Sequence, residues 1–118
     1  MKSDAVIAAL SALAQESRLA LFRLLVRRGP EGYTPSEIIE HLDIPATTLS
    51  FHLKTLSAAG LILVRREGRF LYYSANFEKM NRLVEFLTDQ CCSLATGDCS
   101  DATCRPPKAA AVRKKKAA

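Results

Sequence analysis

Residues 34–74 read TPSEIIEHLDIPATTLSFHLKTLSAAGLILVRREGRFLYYS, and this stretch decides the fold. It opens with a helix start: Thr34 can cap, Pro35 suits the first turn, and Glu37 lies where a capping box needs an acid. The sequence therefore predicts a helix that begins after Thr34 and runs to about Leu42. Its apolar positions are Ile38, Ile39 and Leu42.

A second helix follows after a short turn. Asp43-Ile44-Pro45 predicts the turn, and a stripe of leucines at helical spacing predicts a helix over residues 46–59. Gly60 is a typical stop signal. The leucines of the stripe are Leu49, Leu53 and Leu56. Two helices joined in this way predict a helix-turn-helix.

The pattern then changes to strands. Residues 62–66 and 69–74 flank Glu67-Gly68, whose glycine can supply the positive φ that a tight hairpin needs. A helix-turn-helix followed by such a two-stranded wing is an arrangement that binds DNA, with the second helix in the major groove. The predicted fold class is mostly α with a small β-hairpin, a winged helix-turn-helix.

Further helices are predicted on both sides of this segment, over residues 4–14, 17–28 and 77–92. Gly29 and Pro30 end the second of these. The candidate caps are Ser3 or Asp4, then Ser17, then Asn76 or Ser74. The predicted apolar stripes are Val6, Leu10 and Leu13 in the first helix and Met80, Leu83, Val84 and Leu87 in the last, and both are consistent with a dimer interface. In the second of these helices, Leu19, Phe22 and Leu25 are predicted to face inward.

The length of 118 residues fits one domain. No run approaches the ~20 apolar residues of a membrane span, and the first residues lack the pattern of a signal peptide. We therefore expect a cytoplasmic protein with reduced cysteines. We expect it to divide into a DNA-binding and dimerisation domain (1–92), a cysteine-containing sensor segment (93–104) and a basic, disordered tail (105–118).

The positive charge belongs to the tail. Residues 105–118 hold six basic residues and no acid, so the eleven basic and twelve acidic residues of 1–104 give a net charge of −1. Such a run is typical of a solvated end. It can also add non-specific attraction to DNA through counterion release.

Because the leucine stripe lies in the core, the other side chains of the helix over residues 46–59 face outward. Short hydroxyls near a helix start can bond phosphates or base edges, and an aromatic ring can touch a thymine methyl. Arginines at a hairpin tip suit phosphates or a minor groove, although they can also protect the edge of a small sheet. His52 by itself is more typical of a structural residue. The predicted DNA contacts are Thr47, Thr48, Ser50, Phe51, His52, Lys54, Arg65, Arg66, Arg69 and Tyr72.

Several segments together resemble the ArsR/SmtB family of repressors over residues 5–92. They are Ala12-Leu13-Ala14 with Arg18-Leu19, residues 36–42, Thr47-Thr48-Leu49-Ser50-Phe51-His52-Leu53-Lys54, Ala59-Gly60-Leu61, and Glu67-Gly68-Arg69 with Tyr72-Tyr73. The resemblance implies a homodimer through the first and last helices. It also implies a palindromic operator from which an inducer releases the dimer.

Some departures from the family pattern affect the expected DNA contacts, and others narrow the choice of inducer. Phe51 stands where the family often has histidine, and Pro45 replaces the usual capping serine. Residues 34–42 contain no cysteine, which excludes one arsenic site of the family, and residues 77–92 contain no histidine, which excludes its zinc site. The remaining pattern is closest to arsenic sensors whose cysteines lie at and just after the end of the last helix.

Four cysteines supply candidate ligands: Cys91, Cys92, Cys99 and Cys104. Soft thiolates select soft ions, and trivalent arsenic or antimony is strongly thiophilic. Adjacent cysteines in a regular helix point ~100° apart, so the helix should end or unwind near Cys91. Gly97 allows Cys99 to return toward the pair. We expect Cys91, Cys92 and Cys99 to bind As(III) or Sb(III), with Cys104 as an alternate or fourth ligand, and we expect no organic cofactor.

Other interpretations of these thiols stay open. They include a zinc or cadmium site, although paired C-x-x-C motifs are missing, a thiol-oxidation switch, and cysteines that bind nothing. An enzyme is not expected, because a cysteine nucleophile needs a nearby base and both histidines, His41 and His52, lie in the helix-turn-helix. A winged helix used for protein–protein contact is the remaining alternative, and it predicts no salt-dependent DNA binding.

Overall fold

The computed structural model describes residues 1–95, and this part of the chain forms five helices and a two-stranded antiparallel hairpin. The elements are α1 (Ser3–Leu13), α2 (Glu16–Arg28), α3 (Pro35–Leu42), α4 (Ala46–Ala58), β1 (Ile62–Glu67), β2 (Phe70–Ala75) and α5 (Phe77–Thr88). The predicted winged helix-turn-helix is confirmed. Within residues 1–95, no single helix has the length and apolar character needed to cross a bilayer. Cys99, Cys104 and the predicted tail lie outside the described residues.

The core is built mainly of leucine and lies where α1, α2 and α4 meet. The predicted stripe of Leu49, Leu53 and Leu56 is buried, so α4 keeps its opposite face for solvent. Each such side chain contributes roughly 1.5–3 kcal/mol when it leaves water. The largest fully buried side chains are Leu21, Leu25, Ile38, Leu49, Leu56 and Leu61.

The predicted capping box at the start of α3 is confirmed. The Glu37 backbone N–H donates to Thr34 Oγ1 at 3.3 Å, and the Thr34 backbone N–H donates to Glu37 Oε1 at 2.9 Å. At the other end, Asp43 takes a left-handed φ of 55°, which turns the chain toward α4. Local signals therefore set both ends of the first helix of the helix-turn-helix.

The predicted caps of α1 and α2 are wrong. Gln15 caps α2, two residues before the predicted Ser17, because its side chain accepts the first-turn N–H at 2.9 Å. In α1, Ser3 is the first helical residue and Asp4 lies in the first turn, so neither occupies the capping position. That position belongs to Lys2, and its side chain makes no capping hydrogen bond.

Leu19 was predicted to face inward but faces outward, and Leu10, in the predicted apolar stripe of α1, is exposed as well. Leu10 is 41% exposed and Leu19 is 44% exposed. The buried positions are instead Val6, Ala9 and Ala12 of α1 and Leu21, Phe22, Leu24 and Leu25 of α2. The two helices meet at 102°, and the small alanines let α1 approach its neighbours closely. The contact therefore falls on the alanine side of α1.

The hairpin turn lies one residue later than predicted. Glu67 pairs with Phe70, so the turn is Gly68-Arg69. Gly68 has a φ of 64° at the first turn position, where glycine is favoured. Arg69 therefore lies at the tip of the wing and not in its second strand.

The last helix begins as predicted and ends early. The Asn76 side chain caps α5 by accepting a first-turn backbone N–H at 3.2 Å. The helix ends at Thr88, whose hydroxyl donates to the Val84 carbonyl at 2.9 Å, and does not continue to about Cys92. Gln90 and Cys92 have left-handed φ values of 58° and 64°, so the chain turns here.

Candidate functional site

The outward face of α4 carries most of the side chains predicted to read DNA. Thr47, Ser50, Phe51 and Lys54 are exposed, and Thr48 is half-buried. Phe51 is 62% exposed, which is unusual for a large aromatic side chain and leaves its ring available for contact. These side chains face outward because the buried leucine stripe on the opposite side fixes the rotation of α4 about its axis.

His52 does not belong to this face. Its side chain is only 6% exposed, and its Nδ1 has no hydrogen-bond partner within residues 1–95. Burial, followed by the positive charge of Arg18, lowers the pKa of His52 below its ordinary value. The inclusion of His52 among the DNA contacts is therefore corrected, since its ring lies inside the protein and is not presented to a groove.

The three wing arginines fall into two groups. The side chains of Arg66 and Arg69 are exposed and form no hydrogen bond or ion pair with other residues in the described part of the chain. Arg65 instead has an ion pair with Glu67, with 2.8 Å between Nε and Oε2, and its guanidinium lies 4.9 Å from the ring centre of Tyr72. The side chains of Arg66 and Arg69 near the wing tip are therefore available for contact, whereas the Arg65 guanidinium lies over the ring of Tyr72.

An open groove of about 440 Å³ separates α4 from the wing. On the α4 side it is bordered by Ser50, Lys54 and Ser57, and on the wing side by Leu71 and Tyr73. Ser57, which the sequence analysis did not name, lies seven residues after Ser50 and therefore on the same face of the helix.

The two vicinal thiols lie together just beyond α5. Cys91 Sγ and Cys92 Sγ are 3.5 Å apart, on an exposed turn that begins after Thr88. The early end of the helix removes the ~100° divergence that adjacent side chains have in a regular helix. Within residues 1–95 no group of three or more potential ligands gathers at one point. The other two predicted ligands, Cys99 and Cys104, are outside that range.

Apolar side chains of α1 and α5 remain exposed. Leu87, in the predicted apolar stripe of the last helix, is 58% exposed, and the adjacent Phe86 is also exposed. On α1, Ile7 and Leu10 present a similar surface. Because α1 and α5 pack on each other, large apolar side chains exposed on both helices form a candidate interaction surface.

Comparisons with known proteins place this geometry in a family. A helix-turn-helix domain family matches residues 13–65. The chain is 33% identical to the arsenical resistance operon repressor of Bacillus subtilis over 91 residues, which cover 75% of this chain and 83% of the relative. The chain belongs to the ArsR family of transcriptional regulators. Its relatives regulate transcription and are not enzymes, in agreement with the prediction.

A solved member of the family supports the same fold. It is the homodimeric winged helix-turn-helix DNA-binding domain of a possible ArsR-family regulator from Mycobacterium bovis. The chain superposes on it with a TM-score of 0.59 and 31% identity, over 74% of this chain and 81% of that one. A further relative, an uncharacterised helix-turn-helix-type regulator of Bacillus subtilis, is 44% identical over 63 residues, which span 53% of this chain and 62% of the relative.

Proposed function

We propose that this family member is a dimeric repressor that releases operator DNA when trivalent arsenic or antimony binds its cysteine thiolates. The ligands are Cys91, Cys92 and Cys99, with Cys104 as an alternate or fourth ligand. The observation that carries the proposal is the 3.5 Å separation of Cys91 Sγ and Cys92 Sγ immediately after the last helix.

The DNA-binding part rests on α4 and the wing tip. Phe51 and the hydroxyl side chains of α4 suit base edges and phosphates in a major groove, while Arg66 and Arg69 suit phosphates or the neighbouring minor groove. The N-terminus of α4 adds to this, because its cap residue Pro45 makes no side-chain hydrogen bond. The first-turn N–H groups are thus available to a phosphate.

The dimer rests on the apolar surface of α1 and α5. Ile7, Leu10, Phe86 and Leu87 are all exposed, on two helices that pack on each other, and exposed apolar side chains grouped in this way are typical of interaction sites. The homodimer described for the Mycobacterium bovis domain supports the same arrangement here. A two-fold dimer would present two α4 helices to two successive half-sites of an operator.

The sensor part rests on the chemistry of the thiol pair. A pyramidal As(III) ion, whose lone pair narrows the S–As–S angle, holds two sulfurs somewhat closer together than a tetrahedral zinc ion does. At the tetrahedral zinc–sulfur distance of about 2.3 Å, two sulfurs lie about 3.8 Å apart. The observed separation of 3.5 Å between Cys91 Sγ and Cys92 Sγ is close to that value, so the pair needs little rearrangement to chelate a soft ion. The name of the Bacillus subtilis relative, an arsenical resistance operon repressor, supports arsenic among the soft ions.

The coupling to DNA follows from the position of the thiols. Cys91 is three residues beyond the end of α5, and α5 packs on α1 beside the exposed apolar surface. Ion binding that orders this end of α5 would change the packing of the dimer helices and therefore the spacing of the two α4 helices. An ion can act in this way only if it binds the DNA-free state more tightly. A coupling free energy of ~1–3 kcal/mol would be typical.

The test is a DNA titration with and without arsenite on the full chain. The DNA is a duplex selected by the protein itself from a random pool, and the variants are Cys91→Ser, Cys92→Ser, Cys99→Ser and Cys104→Ser. We expect arsenite to weaken DNA binding by the parent at least tenfold, and to have little effect on Cys91→Ser and Cys92→Ser. Normal release from every serine variant contradicts the site, and release by zinc or peroxide but not by arsenite favours the other thiol chemistries.

A further inference from the structure

The loop between α2 and α3 is bound by two arginines. The Arg65 side chain donates to the carbonyls of Pro30 (Nη1, 3.5 Å) and Glu31 (Nη2, 3.2 Å). The Arg28 Nε donates to the next carbonyl, that of Gly32, at 3.0 Å. Three consecutive carbonyls therefore accept hydrogen bonds from guanidinium groups, one of which comes from the wing.

The remaining contacts of Arg65 lie within the wing. Its Nε donates to Glu67 Oε2 at 2.8 Å, and its guanidinium is 4.9 Å from the ring centre of Tyr72. All three guanidinium nitrogens thus have acceptors, one face is stacked on a ring, and the charge is compensated by a carboxylate. Arg65 differs in this respect from Arg66 and Arg69.

A second link joins the same loop to the base of the wing. The backbone N–H of Tyr33 donates to the Tyr73 carbonyl at 2.9 Å, and the N–H of Tyr73 donates back at 2.8 Å. Arg65 pairs with Tyr72 in the hairpin, so its contact lies next to this bridge on the side of the tip. The Tyr33–Tyr73 bridge holds the base of the wing. Arg65 connects the next residue pair toward the tip, Arg65 and Tyr72, to the loop.

We infer that Arg65 is a positioning residue that clamps the wing to the loop before α3, and that Arg66 and Arg69 are the wing arginines that bind DNA phosphates. The inference rests on the proposed DNA-binding function. A two-stranded hairpin has little stability of its own in water, so the part of the wing beyond the Tyr33–Tyr73 bridge should be less well oriented without this clamp. The clamp therefore keeps the side chains of Arg66 and Arg69 on the same side of the domain as the DNA-contacting face of α4.

The two roles differ in their dependence on salt. Loss of a phosphate contact lowers the slope of log K against log salt by about 0.9, hence by about 2 for a dimer. Loss of a positioning contact weakens binding and keeps the slope, because the same phosphates are neutralised in the complex. We expect Arg65→Ala to lower DNA affinity about two- to tenfold, the range of one lost hydrogen bond.

The experiment measures DNA affinity over a series of potassium chloride concentrations for the full chain. Arg65→Ala should keep the slope of the parent, whereas Arg66→Ala and Arg69→Ala should lower it. Arg65→Lys keeps the positive charge and therefore distinguishes a positioning role from a phosphate contact. A lysine can replace a phosphate contact but not a planar group that bridges two carbonyls and stacks on a ring. Arg65→Lys should therefore lose affinity as Arg65→Ala does.

Hydrogen exchange on the DNA-free protein provides a readout that does not depend on DNA. Arg65→Ala and Arg65→Lys should speed exchange of the Tyr33 and Tyr73 amides several-fold, and Arg69→Ala should not. A parent protein that ignores all DNA overturns the proposed function, while the exchange data still decide whether the clamp exists. The inference is overturned if Arg65→Ala lowers the salt slope as much as Arg69→Ala does, or if exchange is unchanged in both Arg65 variants.

Discussion

The backbone of Gly32 lies against Tyr73, so that a Cβ on Gly32 would be 2.6 Å from the Tyr73 carbonyl oxygen. That carbonyl also accepts the hydrogen bond from Tyr33 that joins the loop to the wing. Gly32 has a φ of 76° as well, so two separate reasons require glycine here. The close contact allows the loop to pair with the hairpin through the Tyr33–Tyr73 bridge.

Gly32→Ala should destabilise the protein strongly, and Gly68→Ala is the matched control. Both glycines have a positive φ, which costs an alanine ~1–2 kcal/mol, but Gly68 has open space around its Cα. Displacing the Tyr73 backbone should add ~1–3 kcal/mol at Gly32 alone. Urea denaturation measures the difference. Equal losses in the two variants would show that the wing tolerates a shift of its base.

His52 should make stability depend on pH. Burial lowers the pKa of His52 in the folded state, so the unfolded chain binds more protons below the ordinary histidine pKa of about 6.5. The stability from neutral His52 is complete above that pH and is lost as the pH falls toward the folded pKa. The free energy of unfolding of the parent should therefore fall as the pH drops below about 6.5. His52→Gln should flatten this fall, and His41→Gln, at an exposed histidine, is the control.

Phe51 should contribute to DNA recognition and not to folding. Phe51→Ala should change the free energy of unfolding by no more than ~0.5 kcal/mol because the ring is exposed. Leu49→Ala, two residues earlier and fully buried, should cost ~2–5 kcal/mol. In DNA titrations, Phe51→Ala should reduce the preference for the selected duplex over unrelated DNA about tenfold, since apolar contacts with thymine methyls carry sequence information. An unchanged preference would place the base contacts elsewhere on α4.

The exposed apolar surface of α1 and α5 should hold the dimer. Leu10→Glu and Leu87→Glu put charges on this surface and should shift the protein toward monomers in sedimentation velocity experiments. Val64→Glu, on the exposed wing, is the control and should leave the mass unchanged. A monomer forms only if the buried charge costs more than the interface contributes, and an unpaired buried carboxylate costs several kcal/mol. Dimers that persist in both helix variants would place the interface on another surface.

Signals that act over three or four residues were sufficient for much of this protein. The capping box of Thr34 and Glu37, the leucine stripe of α4 and the Asn76 cap of α5 were all predicted from the sequence and are confirmed. They are predictable because the interacting groups are neighbours along the chain, so their geometry follows from helix dihedrals alone. The order of these elements was enough to predict a winged helix-turn-helix.

Tertiary packing decided the features that depend on distant parts of the chain. Arg65 differs from Arg66 and Arg69 because its acceptors on Pro30 and Glu31 are 35 and 34 residues away. The same holds for Leu10 and Leu19, whose exposure follows from the angle at which α1 meets α2, and for His52, which is buried by neighbours outside its own helix. No local pattern reports such contacts, because the free energy that selects them arises only when the helices pack together.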